Sequence, residues 1–410
     1  MAELSAPSRI ESIGTEFFDD PHAHYRRWRD AGPAHRVRFP DGVVRWVIVG
    51  YAEARAALAD PRLRKDMARA AAILDHKRDA DPIDADSLTL LSHMLSTDPP
   101  AHTRLRKLVN KAFTTRQVAS LRPRIEEITE ALLDAMDTEG PVDLMETFAN
   151  PLPVTVICEL LGVPFADRAD FQSWTRSLVG VPGEADEERS AAATAMAGYL
   201  AELVRAKQSR PAADLLSQLV LADDEGDRLT DRELVAMAFL LLVAGHETTV
   251  NLIGNGVYAL LRHPEQWRAL CADPAGVPAA VEEFLRFDGP VDMATVRFTA
   301  EPVAVGGTEI PEGELVYVAL SAANRDPARF TDPDTLTVDG QAGGHLAFGH
   351  GIHFCVGAPL ARLEAEIAFT ALQRRFPELT PAAPTADPRW QTSTLIRGLL
   401  ELPVLVRPGR

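Results

Sequence analysis

The stretch Phe348-Gly349-His350-Gly351-Ile352-His353-Phe354-Cys355-Val356-Gly357 decides the reading of this chain. It sets one of three cysteines among glycines, directly before a helical pattern carried by Leu360, Leu363 and Ile367. Glycine lets backbone approach a large ligand closely. The entrance of a helix offers free N–H groups and the positive end of its dipole, which favour a thiolate. A lone cysteine is more often a small buried core residue. Cys355 nevertheless sits at the N-terminal entrance of a helix, in a glycine-permissive loop of the kind a thiolate holding a large ligand needs.

Working outward, the other two cysteines, Cys158 and Cys271, have neither disulfide-framework nor metal-finger spacing. Cys158 lies in an apolar run and reads as core; Cys271 lies near the end of a helical segment and has no assigned role. The 410 residues are 46% hydrophobic and 25% charged, as expected of a globular protein with a large core. A net charge of −17 argues against nucleic acid as a partner. The start, Met1 to Phe18, shows no signal-peptide pattern and no apolar run reads as membrane-spanning, so a cytoplasmic protein is expected. Positive charge is nearly all arginine; the lysines are Lys65, Lys77, Lys107, Lys111 and Lys207.

Helical periodicity dominates, so the expected fold is mainly α with small β-sheets. Alternation at 35–39 and 43–49 around Pro40-Asp41-Gly42 predicts a β-hairpin, and 297–320 a second β region turning at Pro311-Glu312-Gly313. Residues 62–95, with Asp84 and Asp86, read as a long polar loop, and Val179 to Arg189, with Pro182-Gly183, as a second loose segment. Both are candidate lids. Thr230-Asp231-Arg232-Glu233 matches a capping box and opens a long apolar helix reaching about Leu261, suited to the centre of the protein.

Polar residues interrupt that helix once, at Ala244-Gly245-His246-Glu247-Thr248-Thr249. Glycine costs about 1 kcal/mol in a helix interior, and threonine can divert helix carbonyls into its own hydrogen bonds. A buried carboxylate is costly unless paired. A kink with a solvated glutamate competes on even terms with a functional site, until Cys355 is set beside it.

Together the Cys355 loop and the Gly245–Thr249 block resemble the cytochromes P450. The likeness runs over nearly the whole chain, most closely over Asp98 to Val109, Leu241 to Ile253 and His345 to Ala368. It is nearest to actinobacterial P450s that tailor macrolides and polyketides, of the pikromycin-type hydroxylase kind. The resemblance implies one P450 domain over 1–410, with haem b between the central helix and the cysteine loop. Cys355 would be the axial iron ligand, within a loop whose Phe348, Gly349 and Gly357 shape the cofactor site. Gly245 would leave room for dioxygen, Thr248 would hydrogen-bond it, and Glu247 would relay protons; His246 would pack or lie at the surface. A thiolate ligand favours O–O cleavage by donating electron density.

By the same likeness His102, Arg106, Arg297 and His353 would meet the haem propionates, as charge-assisted hydrogen bonds are strong. Glu283 and Arg286 would form the family's structural pair. The pattern's further arginine is replaced by Gly340, leaving Arg325, Arg329 or a backbone partner to compensate. Arg104, Lys107 and Lys111 form a basic run suited to an acidic ferredoxin, and the lack of a flavin motif implies separate redox partners.

Position suggests a largely apolar substrate pocket of Met94, Leu95, Leu240, Val243, Ala244, Val291, Asp292, Met293, Ala294, Thr295, Leu395 and Ile396. Asp292 is either an amino-sugar anchor or a solvated loop carboxylate. The activity implied is hydroxylation or epoxidation of a bulky hydrophobic natural product by a monomer. A terpenoid, steroid or fatty acid is the second substrate class. A peroxide-driven haem enzyme and a non-catalytic haem carrier are the rival classes, and the Glu247–Thr248 pair argues against the first.

Overall fold

In this computed structural model, residues 10–77, 85–179, 186–338, 340–383 and 387–407 are described. Thr230 opens the central helix as the sequence predicts: its hydroxyl accepts from Glu233 N at 3.3 Å, and the Glu233 carboxylate accepts from Thr230 N at 2.8 Å. Two orphan donors are thereby satisfied at the start of a helix running Asp231–Arg262. Its 32 residues span about 48 Å at 1.5 Å per residue.

This helix is long and apolar enough to cross a membrane, contrary to the expectation that no run is. Its apolar faces are instead covered by protein, with 78% of the most apolar window buried. It packs on the helices Pro151–Leu161, Asp186–Ser209, Val277–Asp288 and Ala358–Arg375. Glycine permits two of these approaches: a Cβ on Gly245 would sit 2.8 Å from Ile157 Cδ1, and one on Gly256 2.6 Å from Phe369 Cζ.

The predicted hairpin forms. Ala34–Arg38 and Val44–Ile48 pair antiparallel, with Val37 opposite Arg45 and Gly42 at φ +79° in the turn. They join a six-stranded sheet in the order Glu11–Ser12, Ala34–Arg38, Val44–Ile48, Leu315–Val318, Arg297–Thr299, Leu63–Arg64. The last pair is antiparallel with Arg64 opposite Phe298, which sets residue 65 alongside Arg297. On one side of this sheet a separate core collects Phe17, Tyr25, Trp28, Val37 and Met293.

Two loop expectations are corrected. Between 62 and 95 lie the strand Leu63–Arg64, the helices Met67–Lys77 and Ala85–Leu90, and a short turn Met94–Ser96. Asp66 Oδ1 accepts from Arg69 N at 2.8 Å and so starts the first helix, which buries only Ala70 and Ala71. So narrow an apolar stripe leaves almost no periodic signal. Asp86 accepts from Thr194 Oγ1 at 2.9 Å, while Asp84 lies outside the described residues. Val179 ends one helix and Asp186 to Arg189 begin the next; Pro182-Gly183 lie outside the described residues.

Candidate active site

The loop before the Ala358–Arg375 helix turns on glycines with positive φ, Gly349 at +72° and Gly351 at +77°. Gly351 also lies close against Leu58: a Cβ there would be 3.0 Å from the Leu58 carbonyl oxygen. Cys355 N donates to Phe348 O at 3.0 Å, closing the loop. The Cys355 side chain is open to solvent although surrounded by protein, as expected on the floor of a cleft. Burial raises its pKa, and N–H groups of Gly357 and Ala358 with Arg106 and Arg362 oppose that rise. These donors and cations favour a thiolate.

A clamp that sequence reasoning missed holds this loop at both ends. Glu282 takes a bidentate contact from Arg362 at 2.6 and 2.9 Å, and its Oε2 lies 3.1 Å from His345 Nε2. Arg362 stacks its guanidinium 4.5 Å from the Phe348 ring centroid. Burial raises the Glu282 pKa, but Arg362 and His345 more than reverse this and bring it to about 2.

On the central helix, Leu240, Val243, Ala244, Glu247 and Thr248 recur at helical spacing. Ala244 is exposed, with Val243, Glu247 and Thr248 half-buried, so this largely buried helix bares one stripe at its middle. Thr248 Oγ1 donates to Ala244 O at 2.8 Å, which keeps the hydroxyl on that stripe. Asn251 Nδ2 donates to Glu247 O at 2.8 Å and lies 3.5 Å from Glu247 Oε1. One expectation changes here. Gly245 faces Ile157 of a neighbouring helix, so its missing side chain serves helix packing. His246 takes the packing alternative: it is buried, with Nδ1 2.7 Å from Leu242 O and Nε2 3.7 Å from Glu247 Oε2.

A third feature is a knot of buried bases. His102 is 2% exposed, and neither ring nitrogen has a hydrogen-bond partner among the described residues. Its ring lies 4.3 Å from that of His353. Arg297 is buried, donates to Thr295 O at 3.3 Å, and makes no ion pair among the described residues. Burial lowers its pKa to about 10, against the pull of Asp98. Burial, then Lys65, His102, Arg297 and Arg106, push His353 down to about 2. Burial also lowers Arg106, with Cys355 opposing. The four predicted propionate residues thus converge, joined by Lys65, which the sequence did not single out.

The Cytochrome P450 family profile matches residues 167–273 and 277–398. The chain belongs to the cytochrome P450 family. The P450 monooxygenase PikC of Streptomyces venezuelae is 50% identical over 404 residues, 98% of this chain and 94% of that protein. A vitamin D(3) 25-hydroxylase of Pseudonocardia autotrophica is 48% identical over 393 residues, 96% of this chain and 95% of that protein. The tirandamycin C-bound P450 monooxygenase TamI superposes with a TM-score of 0.90 at 50% identity, covering 97% of this chain and all of that one.

The family implies haem iron with a cysteine thiolate, and the residues of this P450 fit such a group. The two partnerless nitrogens of His102 and the unpaired guanidinium of Arg297 suit a ligand carrying carboxylates, and Cys355 offers a sulfur from a glycine-built floor.

The pair Glu283–Arg286 forms as expected, buried and bidentate at 2.7 Å for both contacts. Arg286 also donates to the carbonyls of Asn324, Pro333 and Thr335 at 3.2, 2.8 and 3.2 Å, and Thr337 N donates to Glu283 Oε1 at 3.0 Å. Backbone therefore does the work of the arginine that Gly340 lacks. Arg325 turns instead to Phe287 O and Asp334, and Arg329 to Gly343 O.

The predicted pocket residues divide. Val291 bridges Ile396, and Leu395 O accepts from Asp292 N at 2.9 Å, so the two distant segments meet. Leu95, Val243 and Ala244, with Val291, Ala294, Thr295 and Leu395, keep partial or full exposure. Met94 and Leu240 are buried in a packed cluster with Leu105 and Leu108. Met293 points into the aromatic core beyond the sheet. Asp292 is neither solvated nor aimed at the pocket: it is buried and accepts from Tyr25 OH at 2.8 Å. Burial, despite Tyr25 and Arg397, raises its pKa to about 6. In extended chain, neighbouring side chains alternate sides, so a consecutive run could not all line one pocket.

The basic run is also corrected. Arg104 pairs with Asp227 and Glu233 at 2.8 and 2.7 Å, and Lys107 and Lys111 each reach Asp224 at 2.6 Å. Nearby acids therefore offset the positive face that these three residues were expected to present.

Proposed function

We propose that this P450 monooxygenase hydroxylates or epoxidises a bulky hydrophobic polyketide or macrolide. In this reading haem b lies between the central helix and the cysteine loop. When bound, it supplies dioxygen activation by an iron that a thiolate renders electron-rich. The observation that carries the reading is an exposed Cys355 side chain with Arg106 beside it, in a loop whose His353 has His102, Arg297 and Arg106 gathered around it.

The chain's own residues then have defined tasks. Cys355 binds the metal through Sγ, its charge supported by the N–H groups of Gly357 and Ala358. The loop residues Phe348, Gly349 and Gly357 hold that sulfur rigidly. His102, Arg106, Arg297 and His353 bind the propionates. Thr248, fixed by Ala244 O, presents a hydroxyl oxygen to the cleft, and Glu247 beside it can move a proton from water towards that hydroxyl. Gly245 lets the helix pass close to Ile157, which steadies this stripe. Val243 and Ala244 exclude water from the reacting face, and Leu95, Val291, Ala294, Thr295 and Leu395 bound a mainly apolar pocket.

In the same reading, electrons come from a ferredoxin and its reductase, and residues 1–410 act as one catalytic domain, monomeric and cytoplasmic. The similarity to PikC and TamI supports a macrolide or related polyketide. A steroid-like substrate is the second reading, favoured by the 48% identity to a vitamin D(3) 25-hydroxylase.

Substrate-induced spectral shifts test the choice. Macrolides are expected to shift the haem from low to high spin at micromolar concentration, followed by oxygenated product that requires NAD(P)H and ferredoxin. A shift with secosteroids alone would move the proposal to the second reading. Product formed from peroxide at the same rate, without reductant, would contradict the monooxygenase cycle.

A further inference from the structure

We propose that Lys65 is an additional partner of the haem propionates, beside Arg297, and that its ammonium helps retain haem. The inference rests on the haem reading above and concerns a residue that reading leaves unused. Lys65 follows the strand Leu63–Arg64, whose pairing with Arg297–Thr299 places it alongside Arg297. It is 3% exposed, and its Nζ donates to Thr295 Oγ1. One neutral hydroxyl satisfies one of three ammonium donors and none of the charge.

The carboxylate that acts on this ammonium is already engaged. Asp98 accepts the backbone N–H of Lys65 with both oxygens at 3.1 Å, and that of Asp66 at 3.0 Å. Around the ammonium stand Arg297 and the rings of His93, His102 and His353, with Arg106 beyond them. Burial and then Arg297 lower the Lys65 pKa well below its ordinary value, with Asp98 opposing. Dehydrated cations crowded in this way are costly unless paired.

Elsewhere the chain provides such pairs. Buried Arg45 has Asp41, Arg286 has Glu283, and Lys207 has Asp214. Among the described residues, Lys65 and Arg297 share Asp98 alone, and Arg106 faces the Cys355 sulfur, so positive charge is left in excess beside Arg297. A propionate would supply the missing negative charge, and Lys65 shares the signature of Arg297: buried, cationic and without an anion of its own.

The test uses the haem-loaded protein and reads haem transfer to excess apomyoglobin and the midpoint potential. Lys65→Met and Lys65→Gln are expected to release haem about tenfold faster, the loss of one charge-assisted hydrogen bond, and to lower the potential. Lys65→Arg is expected to stay within about twofold of the parent, since it restores the charge. Thr295→Val, which removes only the hydroxyl partner, is expected to match the parent. If Lys65→Met does not fold, Lys65→Gln, which keeps a donor for Thr295, carries the measurement. Parent-like haem release and potential in the uncharged variants would overturn the proposal. So would Thr295→Val behaving like Lys65→Met, since Lys65 would then be a brace for Thr295. A parent protein lacking a thiolate–CO band would instead overturn the haem reading itself.

Discussion

Two groups of buried charge in this chain differ in how they are completed. Around Glu283 and Arg286 the chain answers every charge: one bidentate ion pair, three backbone carbonyls and one backbone N–H. Around His102, Arg297 and Lys65 it leaves nitrogens unpaired and positive charge uncompensated. Both groups bear the desolvation cost of burial. A set that the chain completes is a structural brace. A set left open is what the proposed binding of a carboxylate-bearing group would complete.

Breaking the brace should have the largest effect. Glu283→Ala leaves Arg286 buried with carbonyls alone and is expected to cost about 3–5 kcal/mol of stability, read by denaturant unfolding. A loss under about 1 kcal/mol would erase the contrast with the open group.

A carboxyl paired with a phenol instead of a cation sharpens the comparison. Asp292 has a folded-state pKa of about 6, above its ordinary 3.8. The folded state therefore holds this proton more tightly, and the associated stability is present below pH 3.8 and lost as pH rises through 6. Asp292→Asn cannot titrate but can still accept from Tyr25. Its stability relative to the parent is expected to rise by up to about 3 kcal/mol between pH 4 and 7; a flat difference would contradict the assignment.

In the open group, Arg297→Leu should leave the fold intact and release haem roughly 10- to 100-fold faster, corresponding to about 1.5–3 kcal/mol. Unfolding of the haem-loaded protein and haem transfer, measured together, separate this outcome from a stability defect. The smallest effect is expected on the central helix. Thr248→Ala removes the hydroxyl held by Ala244 and should lower product formed per dioxygen consumed by roughly tenfold, with haem content unchanged. An unchanged ratio would remove Thr248 from proton delivery.

The features legible in the sequence were those whose physics is local. The glycines around Cys355, the capping box at Thr230 and the polar break at 245–249 each show within a few residues, and each is found where expected. What escaped depends on partners far along the chain. Glu282 gains its meaning from Arg362 and His345, and Lys65 from a strand pairing with residues 298–299. Gly245 belongs to Ile157, 88 positions earlier. Asp292 and Met293 were placed in the pocket by adjacency, but their partners lie far along the chain: Tyr25 for Asp292, and a core with Phe17 and Trp28 for Met293. Arg104, Lys107 and Lys111 looked like a free basic face because Asp224, Asp227 and Glu233 are over a hundred residues away.

The absorption spectrum of the dithionite-reduced, CO-bound protein, recorded for the parent and for Cys355→Ala, tests the central claim most directly. A strongly red-shifted thiolate–CO Soret band in the parent, lost in the variant, is the expected result. A histidine-type band that survives the substitution, or a parent that binds no haem, would contradict the assignment of Cys355 and of the open cationic group around it.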